Sequence, residues 1–555
     1  MPVPEWWLGM KSNKFTDRSK HFRVRAMSVV LALVMLFSMA SCSPQMYRVN
    51  DERTMYSSDD NYRTVYEIFV YSFCDSDGDG VGDLQGVISK LDYIEDMGFD
   101  AIWLSPICPS PTYHKYDVTD YMSVDPEYGS IADYEALIAA CHARNINVYN
   151  DMVMNHSSSE HPWFKEACDY LKSLPQGATP DVKACKYLDY YNFTDKESGG
   201  YSRVPGTDWF YEARFWSGMP DFNLDSEAVR NEFRDIAEFW LSEGCDGFRM
   251  DAVTSYYTTD KNMSIEALGR FVSDVKAIKP DAYIVCEAWA SQADYSRYYA
   301  SAADSMFDFD FADSDGIIAD TLRGSSTADR YVTCQINEQE LYASFNPDYI
   351  NAPFYTNHDM GRSAGYYTGD DAEKKVKLAG ALNLLMSGTA FVYYGEELGM
   401  KGSGKDENKR APMQWSSDPE APGMCDGPAG MDSFAMKYGA LENQVGDQNS
   451  IYNYYREAVR LRRIFPAISR GQITDVLYSS YGNTMYLKEA EGYESVVIAI
   501  NTSSVGVRLE IPEEYSDYKV LAGTLNTSSD NITLRSGILT LPGYDVAILT
   551  KESDK

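Results

Sequence analysis

The chain has 555 residues, of which 44% are hydrophobic and 14% aromatic, with 83 acidic and 49 basic residues and a net charge of −34. This length allows about three domains with a large core. The negative charge repels nucleic-acid backbones and anionic membrane surfaces, so it excludes nucleic acid as a partner and suits a neutral substrate.

The first 42 residues have the pattern of a secretory signal. Six Lys and Arg residues within positions 11–25 precede the apolar run Met27–Met39, and two small residues then precede Cys42, as in a bacterial lipobox. We expect a signal peptide over residues 1–42 and a secreted protein lipid-anchored through Cys42, on one face or the other of a bacterial outer membrane. An uncleaved anchor is the alternative, although the run is shorter than the ~20 residues of a spanning helix. Residues 43–61 are polar and predict a tether.

A short acidic loop follows, with the sequence DSDGDGVGD from residue 75 to residue 83. Its glycines allow tight turns, and hard oxygen ligands gathered in one loop suit calcium. The loop begins like an EF-hand, but Gly86 stands where an EF-hand ends on its bidentate Glu. We predict one structural Ca²⁺ site, with a solvated acidic turn as the alternative. The predicted carboxylate ligands are Asp75, Asp77, Asp79 and Asp83.

Two further regions differ from the rest of the chain in pattern. Residues 157–216 are irregular, contain four prolines and are too long for a plain loop, which predicts an inserted domain. Residues 465–555 consist of short alternating runs separated by Gly, Asn and Ser, which predicts an antiparallel β-sandwich.

Three segments between these regions each lead from a short apolar run into a carboxylate: GFRMDAV into Asp251, YIVCEAW into Glu287 and FYTNHDMGR into Asp359. Buried strands deliver side chains in this way, and in a β/α barrel the strand tips line the active-site face. Hydrolysis of a glycosidic bond with retention needs one carboxyl group as nucleophile and another as proton donor. A third can stabilise the charged transition state.

Nine cysteines remain besides Cys42, without CxxC or metal-ligand spacing, and an odd count argues against a full disulfide framework. Cys245 and Cys286 adjoin or lie in predicted strands and are expected in the core. For Cys168 and Cys185 two alternatives stay open, a disulfide or two free thiols, because the sequence does not define their geometry.

The carboxylate segments resemble those of glycoside hydrolase family 13, the α-amylase family. Further resemblances, in the family's order, are first and second barrel strands at Tyr66–Tyr71 and Ala101–Pro106, DMVMNH at the third strand, MPDFN at the end of the B domain, FVYYGEE at the eighth strand, and RAPMQW after it. The resemblance implies an α/β fold: a (β/α)8 TIM barrel over residues 62–156 and 217–464, a B domain over 157–216 and a C-terminal β-sandwich.

By this resemblance, Asp251 is the nucleophile, Glu287 the acid/base and Asp359 the residue that holds sugar hydroxyls. Arg249 lies two residues before Asp251 on the same predicted strand, so it points to the same side and its fixed charge should keep Asp251 ionised. The resemblance also implies that Val81 adds a backbone carbonyl to the calcium loop. Tyr116 is the expected stacking platform for a sugar, because an aromatic face covers its C–H groups. The resemblance also implies that His156 and His358 donate hydrogen bonds to the sugar, and that Arg362 and Arg410 contact the sugar or support the residues that do.

One departure from the family bears on where the substrate is cut. Chain-end-cleaving α-glucosidases carry an Asp that pairs with the Arg of the RxPMQW motif, whereas this chain has Tyr113 at that position. Without the carboxylate we expect an open cleft, and therefore cleavage inside a polymer. The predicted function is a retaining, endo-acting α-amylase on starch, amylose or maltooligosaccharides.

Alternatives within the family are a neopullulanase, an α-glucosidase or a transglycosylase. From another class, a non-catalytic glucan-binding protein is opposed by the three intact carboxylates. The lipobox and MPDFN together resemble Sus-type lipoprotein α-amylases, which implies other starch-utilisation proteins as partners.

Overall fold

The structure is a computed structural model that describes residues 53–552. The predicted signal peptide and most of the predicted tether lie outside the described residues, and both stay predictions. Within 53–552, no helix is long and apolar enough to cross a membrane.

A curled parallel sheet forms the centre of the molecule, with strand order β10-β1-β2-β3-β7-β8-β9. The strands up to residue 393 are β1 (Thr64–Ile68), β2 (Ala101–Leu104), β3 (Asn147–Met152), β4 (Phe193–Thr194), β5 (Tyr201–Arg203), β6 (Phe210–Glu212), β7 (Gly247–Met250), β8 (Tyr283–Cys286), β9 (Ser305–Met306) and β10 (Ala390–Tyr393). The first strand therefore begins and ends earlier than predicted, and residues 70–72 form a 3₁₀ turn.

The barrel closes through a segment that is not a regular strand. Ala352 bridges Phe307 in parallel, and the N–H of Phe391 donates to the carbonyl of Pro353 (2.8 Å). Because Pro353 has no N–H, it cannot donate to a ladder. The predicted strand leading to Asp359 is thus reduced to an extended segment in the seventh strand position, and the fold is the expected TIM barrel.

Helices surround the sheet and supply the outer layer of the barrel. In chain order they are α1 (Leu84–Ser89), α2 (Leu91–Met97), α3 (Ile131–His142), α4 (Pro162–Ser173), α5 (Glu227–Ser242), α6 (Lys261–Ile278), α7 (Gln292–Tyr295), α8 (Ile317–Arg323), α9 (Ala328–Phe345), α10 (Ala372–Leu384), α11 (Asp406–Lys409), α12 (Leu441–Gln444), α13 (Ile451–Ile464) and α14 (Ala467–Arg470).

The barrel interior is packed with side chains and is not a channel. Val65, Trp103, Tyr149, Phe307 and Phe391 belong to one buried cluster, as alternate strand positions facing inward predict. At Gly247, a Cβ atom would stand 2.0 Å from the carbonyl oxygen of Tyr283, so the close approach of β7 and β8 requires glycine. The packed interior leaves the strand ends as the place for a site.

The predicted inserted region contains α4 and a small antiparallel sheet in the order β4-β6-β5. It returns to the barrel through a bridge between His156 and Asp221. This attachment places one end of the insertion beside the end of β3.

The C-terminal region is the predicted antiparallel β domain. Its two sheets have the orders β11-β12-β13-β18-β15 and β14-β17-β16, and a shared cluster that includes Leu487, Leu509 and Leu539 fills the space between them. The strands are β11 (Gln472–Ser479), β12 (Asn483–Glu489), β13 (Val496–Asn501), β14 (Val507–Glu510), β15 (Val520–Leu525), β16 (Thr533–Arg535), β17 (Ile538–Leu541) and β18 (Val546–Thr550).

The nine cysteines within residues 53–552 are all free thiols, and eight of them are buried. Cys168 and Cys185 are therefore two separate thiols. Cys245 and Cys286 are fully buried, as expected of core residues.

Candidate active site

The carboxylates of Asp251, Glu287 and Asp359 meet at the carboxyl ends of the barrel strands, where they line a cavity of about 410 Å³. Asp251 follows β7 directly and Glu287 follows β8. The other lining residues are His114, Tyr116, His156, Phe215, Met219, Ala252, Trp289, Asp406, Lys409 and Arg410.

Arg249 joins the carboxylates from below. Its Nη1 donates to Asp251 Oδ1 (2.7 Å) and to Asp151 Oδ1 (2.9 Å), and its Nη2 lies 3.0 Å from Glu287 Oε2. The side chain is fully buried, and its guanidinium lies 5.1 Å from the centre of the Trp103 ring. Because an arginine keeps its charge at any ordinary pH, these carboxyl groups are oriented by one fixed cation.

The backbone after Asp251 is held in a conformation that serves Glu287. Ala252 has φ 46°, in the left-handed region that residues other than glycine rarely adopt. This turn directs the N–H of Ala252 to Glu287 Oε2 (2.9 Å), while the N–H of Val253 donates to the carbonyl of Glu287 (3.1 Å). The conformation costs about 1–2 kcal/mol, and it ties two strand ends together at the site.

Burial raises the pKa of Glu287 to about 8, with a further increase from the charges of Asp251 and Asp359 and an opposing effect of Arg249. A carboxyl group with this pKa holds its proton at neutral pH. The arrangement therefore offers a proton donor beside the carboxylate of Asp251, which is the pair that acid catalysis with a nucleophile requires.

Asp359 ends a chain of charges that continues through the buried side chains of His358 and Glu67. His358 Nδ1 lies 2.7 Å from Glu67 Oε1, and its Nε2 lies 3.2 Å from Asp359 Oδ2 and 2.7 Å from the hydroxyl of Tyr116. Burial alone would lower the pKa of His358, but the two carboxylates raise it to about 10. Burial likewise raises the pKa of Asp359, but His358 and Arg410 outweigh it and hold that pKa well below its usual range.

His358 was predicted to contact the substrate, and the structure places it beneath the cavity instead. Its side chain is fully buried and both ring nitrogens already face protein partners. The imidazole stacks on the ring of Tyr116, with centroids 5.4 Å apart and an interplanar angle of 13°. Tyr116 itself lines the cavity, so His358 supports the predicted sugar platform.

His156 presents an unpartnered donor to the cavity. Asn155 Nδ2 lies 3.2 Å from His156 Nδ1, and since the amide nitrogen can only donate, Nε2 carries the proton. Nε2 is buried and has no partner among the described residues. Burial lowers the pKa of the ring, so His156 is a neutral donor. A buried donor of this kind costs free energy until a ligand accepts from it.

Arg410, Asp406 and Tyr113 form the rim at one side of the cavity. Arg410 pairs with Asp406 and, through Nη2, with Asp359 Oδ1 (2.8 Å). The Tyr113 hydroxyl accepts from Arg410 Nη1 (3.0 Å) and donates to Asp406 Oδ2 (3.1 Å). Arg410 therefore has a carboxylate partner although Tyr113 stands at the position expected for one, because Asp406, four residues earlier in α11, supplies it.

Arg362 does not reach the cavity, so of its two expected roles the sugar contact is wrong and the supporting role remains. Its side chain is 1% exposed, and Nη1 donates to the carbonyl of Tyr394 (2.6 Å). The guanidinium also lies 4.5 Å from the ring centre of Tyr393. Arg362 therefore supports the wall formed by the end of β10.

The acidic loop brings three of its four aspartates together. Carboxylate oxygens of Asp75, Asp77 and Asp83 all lie within 4.8 Å of one another, whereas Asp79 is not part of this group. Asp79 Oδ1 instead accepts from the N–H of Val81 (2.8 Å). Three carboxylates at this spacing form a donor set of the kind that calcium prefers, so the residues present fit the predicted ion.

Three residues at the site, Asp151, Glu67 and Asp406, are missing from the predicted set. Asp151 and Glu67 occupy inward-facing positions of β3 and β1, where a buried charge needs a partner. The alternation of inward- and outward-facing residues along those strands is the sequence signal that could have identified both positions. Asp406 lies four residues before Arg410, the spacing of a helical ion pair.

Replacing Glu67 by Gln removes one of the two charges that stabilise protonated His358. We expect the imidazole of the variant to lose its proton well below pH 10, while the wild-type ring stays charged to about that pH. Since the folded pKa exceeds the unfolded value of 6.5, the stability contributed by this pairing is complete below pH 6.5 and is lost as the pH rises through about 10.

NMR of histidine-labelled protein measures this directly, because the chain has only six His residues. Glu340→Gln, at a site with no resolved contact to His358, is the control. The interpretation of Glu67 is wrong if His358 titrates at the same pH in Glu67→Gln and in the control.

The comparison with known proteins extends over most of the chain. Residues 67–471 match the family model described as alpha amylase, catalytic domain. Alpha-amylase 3 from Dictyoglomus thermophilum is 36% identical over 460 residues, which are 82% of this chain and 88% of that protein. The solved structure of Eubacterium rectale Amy13B shares 45% identity with a TM-score of 0.88, covering 92% of this chain and 99% of that one.

Another relative carries a different activity in its name. Oligo-1,6-glucosidase from Heyndrickxia coagulans is 27% identical over a gapped alignment of 559 positions that covers 85% of this chain and 96% of that protein. The similarity thus extends to amylases and glucosidases alike, on one fold. The chain is an enzyme of the α-amylase family, family 13 of the glycoside hydrolases.

Proposed function

We propose that this enzyme is an α-amylase that hydrolyses internal α-1,4-glucosidic bonds of starch-like glucans with retention. The observation that supports it best is the shared contact of Asp251 and Glu287 with the single guanidinium of Arg249. Two carboxyl groups that face one guanidinium lie close together, as retention requires with a separation of about 5–5.5 Å. An inverting enzyme needs a wider gap for water.

In the first step Glu287 gives its proton to the glycosidic oxygen while Asp251 attacks the anomeric carbon. The bond to the leaving sugar breaks and a glycosyl ester with Asp251 forms. In the second step Glu287, now ionised, takes a proton from water, and the resulting hydroxide equivalent displaces Asp251. Glu287 ends protonated and Asp251 ionised, so both groups are restored.

The surrounding residues hold the sugar for these steps. The N–H at His156 Nε2 donates to a sugar hydroxyl, and Asp359, kept ionised by His358 and Arg410, accepts from sugar hydroxyls. Tyr116 covers the apolar face of the ring. The contact at His156 satisfies a buried donor that the described residues leave without a partner.

The exposed aromatic side chains favour binding of a long chain. Trp289 is 50% exposed, and its ring stacks on that of Phe309. Phe215 is 51% exposed, and its ring centre lies 5.1 Å from that of His156. Such rings offer platforms for glucosyl units beyond the one being cleaved. Asp406 lies at the rim with a side chain about half exposed, so it borders the cavity without capping it.

A chain-end-cleaving α-glucosidase is the second candidate, and the Asp406–Arg410–Tyr113 rim favours it. This cluster stands where a carboxylate–arginine pair would seal the cleft behind a terminal sugar. Neopullulanase and transglycosylase activities remain family alternatives without a feature that favours them here, and the complete carboxylate set opposes a non-catalytic glucan-binding role.

We also propose one structural Ca²⁺ in the acidic loop and a lipid anchor at Cys42 of a secreted protein of the bacterial outer membrane, with starch-utilisation proteins as partners. The three clustered carboxylates support the ion, and Asp75, Asp77 and Asp83 would hold it. The ion would stabilise the loop after β1 and takes no part in the chemistry. The small residues before Cys42 support the anchor.

The product profile on amylose, pullulan and maltoheptaose tests the cleavage pattern. We expect mixed maltooligosaccharides early in the reaction, with a rapid fall in amylose viscosity. Asp406→Ala should leave that profile endo and raise the share of long products, because the rim opens further. If wild type releases glucose alone and longer products appear only with Asp406→Ala, the enzyme cleaves at chain ends. If pullulan yields panose, the enzyme is a neopullulanase.

Glu287→Gln tests the acid/base role. We expect turnover of maltoheptaose to fall by about 10²–10⁴-fold, with a smaller loss for an aryl maltoside whose leaving group needs no proton. In wild type, kcat/KM should fall as the pH rises through about 8, because the proton donor is then lost. Equal losses on both substrates would contradict the assignment.

Calcium removal tests the acidic loop. We expect a chelator to lower Tm by several degrees, and added Ca²⁺, but not Mg²⁺, to restore it. A variant with Asp75→Asn and Asp77→Asn should no longer respond to either treatment. An identical wild-type Tm with chelator and with Ca²⁺ would remove the proposed site.

A further inference from the structure

A second cavity, of about 230 Å³, lies outside the catalytic site at the start of α4. Its walls come from the loop at Asp120–Met122, from the beginning of α4 and from α5. The side chains that matter for its chemistry are those of Asp120, Met122, His161, Trp163 and Glu232.

His161 supplies a buried donor without a partner. It caps α4, and its Nδ1 accepts from the N–H of Trp163 (3.2 Å), so Nε2 carries the proton. Burial lowers the pKa of the ring to about 4, which keeps it neutral. The residue is 4% exposed, and its one side-chain hydrogen bond within residues 53–552 is that at Nδ1, with the charge of Asp120 acting on the ring. The cavity therefore contains one neutral donor that only a ligand or water can satisfy.

Two carboxylates supply acceptors. Asp120 accepts from the N–H of Met122 (3.0 Å) and from Ser123 (2.8 Å), and Glu232 accepts from the hydroxyl of Tyr190 (2.7 Å). A carboxylate has about four lone-pair positions, so both retain acceptor capacity. The described residues that line the cavity include no Lys or Arg. The two carboxylates make the cavity negatively charged, which repels anions and suits a ligand whose hydroxyl groups donate hydrogen bonds.

Apolar surface completes the cavity. Trp163 is half-buried, held edge-to-face against Tyr190 at 5.1 Å and stacked near Tyr187. Met122 is 37% exposed and Ile236 lies opposite in α5. A rigid indole beside hydroxyl acceptors and one donor is the combination that binds a sugar ring, with C–H groups on the aromatic face and hydroxyls at the rim.

We propose that this cavity is a second carbohydrate site, which binds a glucosyl unit of an α-glucan chain without cleaving it. The choice of glucan rests on the proposed function. The volume is below the 300–1,000 Å³ of sites for larger ligands, so the occupant is one or two sugar units. The hydroxyl of Tyr121, between the two cavities, donates to the carbonyl of His156 (2.6 Å), so a polymer held here lies beside the catalytic cavity.

Calorimetry with maltoheptaose and Glu287→Gln protein tests the proposal, because turnover by this variant is expected to be about 10²–10⁴-fold slower and binding can be measured before the ligand is cleaved. We expect two binding sites per chain. Adding Met122→Arg, which places a bulky charge in the cavity, should leave one site, and retardation by amylopectin in native gels should weaken at least threefold. Val505→Arg, a similar change at a 70% exposed position, is the matched control and should keep two sites.

Trp163→Phe is a milder second variant, which should weaken the second site without removing it. Met122→Arg and Trp163→Phe with Glu287 intact should hydrolyse maltotriose within about twofold of wild type, which shows that the fold and catalytic cavity are unchanged. A single site in Glu287→Gln, or two sites retained with Met122→Arg, would overturn the proposal. Absence of any α-glucan hydrolysis by wild type would instead overturn the proposed function.

Discussion

The charge of Arg249, buried at the centre of the barrel end, is the constraint on which the site depends. A buried guanidinium needs acceptors around it, and for Arg249 these are the carboxylates of Asp151, Asp251 and Glu287, which come from three adjacent strands, β3, β7 and β8. The requirement to neutralise one cation therefore fixes the relative positions of these strand ends. If any one of these three carboxylates were removed, the buried guanidinium of Arg249 would keep only two of its carboxylate partners.

The same balance separates the roles of the acidic residues. Asp359 lies against His358 and Arg410, which hold its pKa low, whereas burial dominates at Glu287 and raises its pKa. Two carboxyl groups in one cavity thus differ in protonation at neutral pH because their cation partners differ. The left-handed backbone at Ala252 adds a directed N–H to Glu287, at a strain cost that packed strands on either side sustain.

Much of this could be predicted from sequence, because each carboxylate segment carries local signals. Apolar runs ending in Asp251 and Glu287 identify both the strand and its tip, and the β domain follows from alternation. The segment before Asp359 was less predictable, since Pro353 interrupts the ladder. The pairing of Arg410 with Asp406 could not be read from the position of Tyr113 alone, because a short helix after β10 supplies the carboxylate. The raised pKa of His358 depends in part on Glu67, 291 positions away in sequence.

The free thiols have a consequence for the environments in which the enzyme can work. Burial raises the pKa of thiols such as Cys108, Cys141 and Cys168, and the thiol form is a poor nucleophile. A change in redox potential therefore has no disulfide to break in the described residues and no reactive thiolate among these buried cysteines to oxidise. The described part of the fold therefore contains no disulfide that must form for it to mature, and its buried thiols offer little for an oxidant to attack.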